Sequence, residues 1–303
     1  MTGGNGESAS PSPATNMKFG LVAHRLHRMG PDCALLRWAR LCEPDLFVLG
    51  LQLHATGGAH DALVVNDLLR SQLISIGHGR DGGLMRLVSR AAGGLVQEDA
   101  IDGVFFFMDP VNPTSTYPET LALKRQCVIH GKPFVATLAG AIEWVGVEMA
   151  IAGLASSSAA DAGAKPLESQ VVALIAHDAR KAEMMEFAAE YFDLLSRFNG
   201  RVATGTTGSK LNEMAWSKGW PQSQPWVTPY QSGPLGGDAQ IAELVLDRRC
   251  QKVFFFEDPH VARQHEADIQ LLDRAVYSAG DVTTCFNTPA MTRRWAQAMC
   301  LNA

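Results

Sequence analysis

The chain repeats itself, and that repetition limits its architecture more than any other feature. FGLVAH at 19–24 returns as VALIAH at 172–177, an offset of 153. HATGG at 54–58 returns as VATGTTG at 202–208, with Thr56 and Thr204 separated by 148. VFFFMDP at 104–110 returns as VFFFEDP at 253–259, an offset of 149, and PFVATLAG at 133–140 has a weaker echo in DVTTCFNT at 281–288. Landmarks that keep one order at a nearly constant spacing call for one unit built twice. Two unrelated folds that merely share strand chemistry would not hold the spacing. A length of 303 residues suits two such units, each of about 130 residues with a core of its own.

The expected organisation is a disordered tail over 1–16, a first unit over 17–152, a linker over 153–169 and a second unit over 170–303. The tail (MTGGNGESASPSPATN) and the linker (GLASSSAADAGAKPLES) are built of Gly, Ser, Ala, Thr and Pro that cannot bury a core. Each unit opens on a continuous apolar run such as Val171–Ala176, which reads as a parallel strand buried on both faces. Lys181, Met184, Met185, Phe187 and Ala188 then mix charge and apolar positions at helical spacing. Strands alternating with helices give an α/β fold: two tandem doubly wound, Rossmann-like parallel sheets. Every polar landmark follows a strand, so all should meet at the carboxyl rim where such sheets bind ligands.

Composition narrows the partners. A formal charge of −5 offers no basic face for nucleic acid. No apolar run reaches the ~18–20 residues of a membrane span, and residues 1–16 lack the charged start and apolar stretch of a signal peptide. Six scattered cysteines without a C-x-x-C pair suit free thiols in a reducing compartment, so a cytoplasmic location is expected. An anionic small molecule would have to be held by local cations and backbone N–H groups.

In the second unit Thr204-Gly205-Thr206-Thr207-Gly208 follows a strand. Two glycines allow a tight turn, and hydroxyls with exposed N–H groups at a helix start can hold a phosphate. An ordinary hydroxyl-capped turn is the alternative. Ser232-Gly233-Pro234-Leu235-Gly236-Gly237-Asp238 sets a carboxylate among glycines, as a base close to a ligand or as a helix N-cap. Asp258-Pro259 ends the VFFFE strand, as a rim carboxylate or a turn initiator. His265 and Asp268 stand three apart and would share a face of a helix, or His265 is a solvated loop histidine. His177, Asp238, Asp258 and His265 include no sequence-close ligand pair, so no metal is expected.

In this combination and order, AHDARK (176–181), ATGTTG (203–208), SGPLGGDAQ (232–240) and FFFEDP with HEAD (254–259 and 265–268) resemble the methylglyoxal synthase family over about residues 171–295. The resemblance implies elimination of phosphate from dihydroxyacetone phosphate to give methylglyoxal, a carbon–oxygen lyase reaction without metal or organic cofactor. It also implies roles. Lys181, Thr204, Gly205, Thr206, Thr207, Gly208, Ser232 and Gly233 fall in the phosphate-binding positions, and Asp238 at the general base. His265 would polarise the substrate oxygen, Asp258 and Asp268 hold that arrangement, and His177 and Asp178 lie near the substrate. Inorganic phosphate should bind the same clamp. Family members assemble as hexamers of single units, so three of these chains should form a pseudo-hexamer. Two departures stand out: residues 217–226 (SKGWPQSQPW) are longer and richer in Pro and Trp than the family's segment, and the chain ends soon after Arg293 and Arg294, short of the tail whose arginine reaches a neighbouring site.

The first unit keeps the frame more than the chemistry. His24 and Arg28 match the His and Lys positions, but Thr56-Gly57-Gly58-Ala59-His60 lacks the hydroxyl pair. Thr116 stands where the family's His belongs and Glu119 where its Asp belongs. Counting back from Asp109 without a gap puts Ser89 at the base, and Asp81 reaches that place only with a sizeable insertion. This unit is therefore expected to be catalytically dead while retaining Arg28, His78 and Arg80 for an anion. The rival reading of the whole chain is a non-catalytic regulatory protein that binds a phosphometabolite. A sensor needs only the clamp, whereas the full set Asp238, Asp258, His265 and Asp268 suits an enzyme; a lyase acting on another aldose or ketose phosphate is the remaining alternative.

Overall fold

The computed structural model describes residues 16–157, 165–260 and 266–301, apart from the side chains of residue 234 and residues 266–269. The expected tail, except Asn16, and residues 158–164 of the expected linker lie outside them. What is described of that linker is anchored at its ends: Ser157 N donates to Asp45 Oδ1 at 2.8 Å, and Leu167 is buried.

Two five-stranded parallel sheets form the frame. The first holds β1 (Lys18–Ala23), β2 (Gln52–Ala55), β3 (Leu73–Ser75), β4 (Gly103–Phe107) and β5 (Phe134–Val135). The second holds β6 (Val171–Ala176), β7 (Gly200–Ala203), β8 (Thr228–Pro229), β9 (Lys252–Phe256) and β10 (Thr284–Phe286). Counted within each half, both run in the order 3-2-1-4-5. Apart from Lys18 and Lys252, each the first residue of its strand, the central strands are apolar because helices cover both faces; every residue of β4 and β9 is buried.

Helices α1 (Ala34–Val48), α2 (Gly57–Val65), α3 (Gly83–Ala91), α4 (Pro118–Ile129) and α5 (Leu138–Ile151) dress the first sheet. Helices α6 (Lys181–Glu190), α7 (Phe192–Ser196), α8 (Gly205–Ser217), α9 (Gly237–Leu246), α10 (Glu266–Ser278) and α11 (Pro289–Leu301) dress the second. The expected helix after Lys181 is α6, with Met184, Phe187 and Ala188 turned inward.

Register corrects the fourth landmark. Val104 pairs with Phe134 and Val253 with Cys285, so Phe134 corresponds to Cys285, three residues beyond the position that the echo of PFVATLAG in DVTTCFNT gives. The same shift superposes Thr137 on Thr288, and both cap a helix start: Thr137 Oγ1 accepts from Gly140 N at 3.0 Å and Thr288 Oγ1 from Met291 N at 3.1 Å. A two-residue strand carries too little pattern for the eye to fix its phase.

The halves are joined by a shared core. One cluster of buried apolar side chains runs from Trp38, Phe105 and Trp144 to Phe254, Phe286 and Trp295. The elements that meet are counterparts of one another: α5 lies on α11, and β5 comes beside β10. Charges cross the seam with partners. Lys252, 2% exposed, donates to Glu143 Oε2 at 2.7 Å and Thr284 Oγ1 at 3.0 Å, while Arg294 Nε donates to the buried Glu148 at 2.8 Å. A buried charge is tolerated only when it is paired and hydrogen-bonded in this way.

Candidate active site

The candidate residues of the second half lie past the carboxyl ends of its strands. His177 follows β6; its backbone N donates to Phe256 O at 3.2 Å, and its ring stands edge-on to Phe255 with centroids 4.9 Å apart. Its Nδ1 accepts from Asp258 N at 2.7 Å. A neutral imidazole that accepts at Nδ1 carries its proton on Nε2, so the ring presents a donor there. Asp258 Oδ1 in turn accepts from His260 N at 3.0 Å. Asp258 is thus both a turn initiator and a half-buried rim carboxylate.

The TGTTG segment forms the start of α8. Thr204, 6% exposed, occupies the N-cap position, yet its side chain makes no capping hydrogen bond; the ordinary capped turn is not what it forms. Gly205 N donates to Gln231 O at 2.9 Å, and a Cβ on Gly205 would sit 2.9 Å from Ser232 N. Close approach between the α8 start and the chain leaving β8 therefore requires glycine here. Lys181 Nζ donates to Thr206 Oγ1 at 2.7 Å and pairs with Asp178. Thr207 differs from its neighbours. It is wholly buried, and its Oγ1 has no hydrogen-bond partner among the described residues. A side chain so placed leaves its backbone N–H as the group it can offer a ligand.

The Gly-Gly-Asp element is equally constrained. Ser232 precedes a short turn, Gly233–Leu235, and Gly236, at φ 96°, is the N-cap of α9. The N-cap alternative for Asp238 is thereby set aside, since Asp238 is already inside the first turn. A Cβ on Gly237 would lie 1.9 Å from Gln231 O, which excludes any other residue. A Cβ on Gly233 would lie 2.7 Å from Asp238 Oδ2, so the half-buried carboxylate rests against the Gly233 backbone. The structure thus brings together His177 with Asp258, Lys181 with Asp178 and Thr206, Gly205 with Ser232, and Gly233 with Asp238. His265 lies outside the described residues; Asp268 belongs to α10, and its side chain lies outside them too.

The first half repeats the geometry with other side chains. His24 Nδ1 accepts from Asp109 N at 3.0 Å and Asp109 Oδ1 from Val111 N at 3.0 Å, the same two bonds as around His177 and Asp258. Burial lowers the His24 pKa to about 4, so the ring is neutral near pH 7. Gly57 N donates to Gly77 O at 2.8 Å as Gly205 N does to Gln231 O, and Gly82, at φ 82°, is the N-cap of α3 as Gly236 is of α9. A Cβ on Gly83 would meet Gly77 O at 2.3 Å, as one on Gly237 would meet Gln231 O. This match places Leu84, not Ser89, opposite Asp238, and Asp81 opposite Leu235. The gap-free count back from Asp109 failed because the stretch between this element and the Asp-Pro turn differs in length: Leu84 and Asp109 are 25 apart, Asp238 and Asp258 20.

Sequence reasoning missed a buried charge cluster between the halves. Lys124 of α4 donates to Asp273 Oδ2 at 2.6 Å and lies 2.7 Å from Glu257 Oε1, the residue before Asp258. Burial alone would lower the Lys124 pKa; Asp273 and Glu257 outweigh it and hold the ammonium well above its ordinary range. Burial pushes Glu257 up to about 7 in spite of Lys124. The available signal was a charge after an apolar strand, Glu257 in VFFFEDP where the first copy has Met108. The arginines near the end are engaged within the chain, Arg293 with Glu190 and Arg294 with Glu148.

No family model matches the chain. It is 40% identical over 103 residues to a methylglyoxal synthase of Clostridium beijerinckii, covering 34% of this chain and 79% of that protein. It is 40% identical over 109 residues to a methylglyoxal synthase of Bacillus subtilis, covering 35% and 73%. Among solved structures, a methylglyoxal synthase from Elizabethkingia anophelis is 28% identical with a TM-score of 0.35, covering 45% of this chain and 79% of the other.

Proposed function

The chain belongs to the methylglyoxal synthase family, and from that premise we propose that its second half converts dihydroxyacetone phosphate into methylglyoxal and inorganic phosphate. The observation that carries the reading is the placement of Asp238 Oδ2 against Gly233, in the turn that also abuts Gly205 at the start of α8. A base thereby stands beside an anion clamp formed by Lys181, Thr206, Ser232 and the first-turn N–H groups of α8.

In this reading Asp238 removes a proton from the hydroxymethyl carbon. The electron pair forms a carbon–carbon double bond, and the carbonyl oxygen takes up the negative charge as an enediolate. Donors from His265 and from Nε2 of His177 stabilise that oxygen. The hydroxyl left on the deprotonated carbon then gives its proton to the departing phosphate and becomes the aldehyde. Its electron pair drives the double bond over to the phosphate-bearing carbon as the bond from that carbon to the phosphate oxygen breaks. The resulting enolate takes up a proton on its terminal carbon to give methylglyoxal. Only a clamp that aligns this bond with the π system of the enediolate favours departure, so Thr204–Gly208 would decide the outcome as much as the base does. Asp258 and Asp268 hold the arrangement.

A colorimetric assay for methylglyoxal with purified protein and dihydroxyacetone phosphate tests the reading. Asp238→Asn should keep the fold and lower kcat at least ~10³-fold, because proton abstraction loses its base. Near-normal turnover of a folded Asp238→Asn protein would remove Asp238 from that role. We propose further that three chains form a pseudo-hexameric ring, since related units inherit related interface patches. Light scattering should then give about 98 kDa from chains of 32.7 kDa; an active monomer at micromolar concentration would overturn it.

A further inference from the structure

Beyond the sheet of the first half opens a cavity of about 780 Å³, the size range of a small-molecule site. Its floor is the end of β1, Val22 to His24. On one side stand Arg28, His78 and Arg80; on the other, past β1 and over β4, stands Glu119 in the first turn of α4. Apolar wall comes from Leu84, Met85 and Phe106.

The cationic side repeats the clamp of the second half in altered form. Arg28 occupies the position of Lys181, and a Cβ on Gly58, the counterpart of Thr206, would lie 2.7 Å from the Arg28 guanidinium carbon. Exchange of threonine for glycine lets the larger, forked cation lie over the start of α2, where two N–H donors can meet two phosphate oxygens. His78 takes the place of Ser232; its ring would be 2.3 Å from a Cβ on Gly57. Asp61 faces the His78 ring at 3.9 Å.

The remainder of the site is unlike the second half. Leu84 replaces the base, so nothing in that position can take a proton from carbon, and it presents apolar surface instead. The volume far exceeds what a three-carbon phosphate fills. Glu119, across the floor, is an acceptor for hydroxyl or amino groups.

From this geometry we propose that the first-half cavity is a non-catalytic binding site for a phosphate monoester with a ring-bearing body. The phosphate lies on Arg28, His78 and the first turn of α2; the ring lies on Leu84, Met85 and Phe106, with its polar edge toward Glu119. The shared chemistry covers sugar phosphates and nucleoside monophosphates.

Isothermal titration of the full chain separates these sources and the two halves. The probes are a hexose 6-phosphate and a purine nucleoside monophosphate, with glycerol 3-phosphate as the small comparator. Lys181→Ala combined with Thr206→Ala silences the second-half clamp. At least one ring-bearing probe should bind once per chain to that variant, about 10-fold or more tighter than glycerol 3-phosphate. Arg28→Ala should weaken it at least ~10-fold, and Arg80→Ala, at an exposed side chain, by a few-fold. The tighter ring-bearing probe identifies the source. Binding that survives Arg28→Ala and Arg80→Ala, or that disappears with Lys181 and Thr206, overturns the proposal. So does the failure of both ring-bearing probes to bind at millimolar concentration. Absence of methylglyoxal formation alongside Arg28-dependent binding would overturn the proposed lyase activity and leave this site standing.

Discussion

The two rims share a backbone and differ in what it carries. Around His24 and His177 the same ring nitrogen accepts the same N–H, and Asp109 and Asp258 close the same turn two residues on. Gly82 and Gly236 take the same left-handed φ. Yet Lys181 corresponds to Arg28, Thr206 to Gly58, Ser232 to His78, and Asp238 to Leu84. The difference teaches that the glycines, the histidine and the Asp-Pro turn are requirements of the fold. Under the proposed function, what separates the two rims is the set of side chains that the frame leaves open to change.

The matched aspartates give the sharpest way to break this contrast. Asn at either position keeps an acceptor oxygen for the turn, so the structural cost should be alike. Asp258→Asn is expected to lower kcat ~10²–10⁴-fold, the usual range for lost acid–base or positioning groups, whereas Asp109→Asn should stay within a few-fold of wild type. Equal losses would mean that the first rim takes part in the reaction.

A smaller effect concerns the seam. Lys124→Met leaves the buried Glu257 and the half-buried Asp273 without their cation, and removing one partner of a buried pair costs about 3–5 kcal/mol. Chemical denaturation should report it, and an unchanged midpoint would show that solvent reaches these groups. pH adds a sign. The folded-state pKa of Glu257 is raised from 4.5 to about 7 by burial. Its stabilising contribution is therefore complete below pH 4.5 and lost as pH rises through about 7. Glu257→Gln should flatten the fall of Tm over that window; an unaltered slope would exclude Glu257 as its source.

The smallest expected change is in ligand stabilisation. Inorganic phosphate should raise Tm, since a ligand of the folded state contributes RT ln(1 + [L]/Kd), about 2.7 kcal/mol at 100-fold Kd. Thr206→Ala should cut part of that shift and Gly58→Ala less. The single replacement at Thr206 is the informative one, because Thr207 is packed in the interior. A full shift in Thr206→Ala would move the phosphate away from this turn.

Much of this was legible from residues alone. Buried runs such as VFFF announced the central strands, since a parallel strand covered on both faces has no polar alternation to hide it. The rim followed from the polar residues after each strand. A fixed count back from Asp109 misses the partner of Asp238 because it cannot see that the stretch before the Asp-Pro turn is five residues longer in the first half. Glycine spacing held the answer: Gly79, Gly82 and Gly83 stand as Gly233, Gly236 and Gly237 do. Lys124 with Glu257 and Asp273 was out of reach, because residues 149 apart in sequence meet only after two cores have docked.

That last pair carries a consequence for symmetry. Lys124 and Asp273 are separated by 149 residues, the offset that relates β4 to β9, so each is the other's counterpart. In a dimer of identical subunits, residues that face their own counterparts across the axis must be the same, and a lone carboxylate there would confront a second one. Joining both halves in one polypeptide lifts that restriction, and opposite charges now sit where equality would otherwise be imposed. Neither half can then be exchanged for a duplicate of the other: two second halves would set Asp273 against Asp273 with Glu257 beside each. The covalent link thereby makes each half an obligate complement of its neighbour.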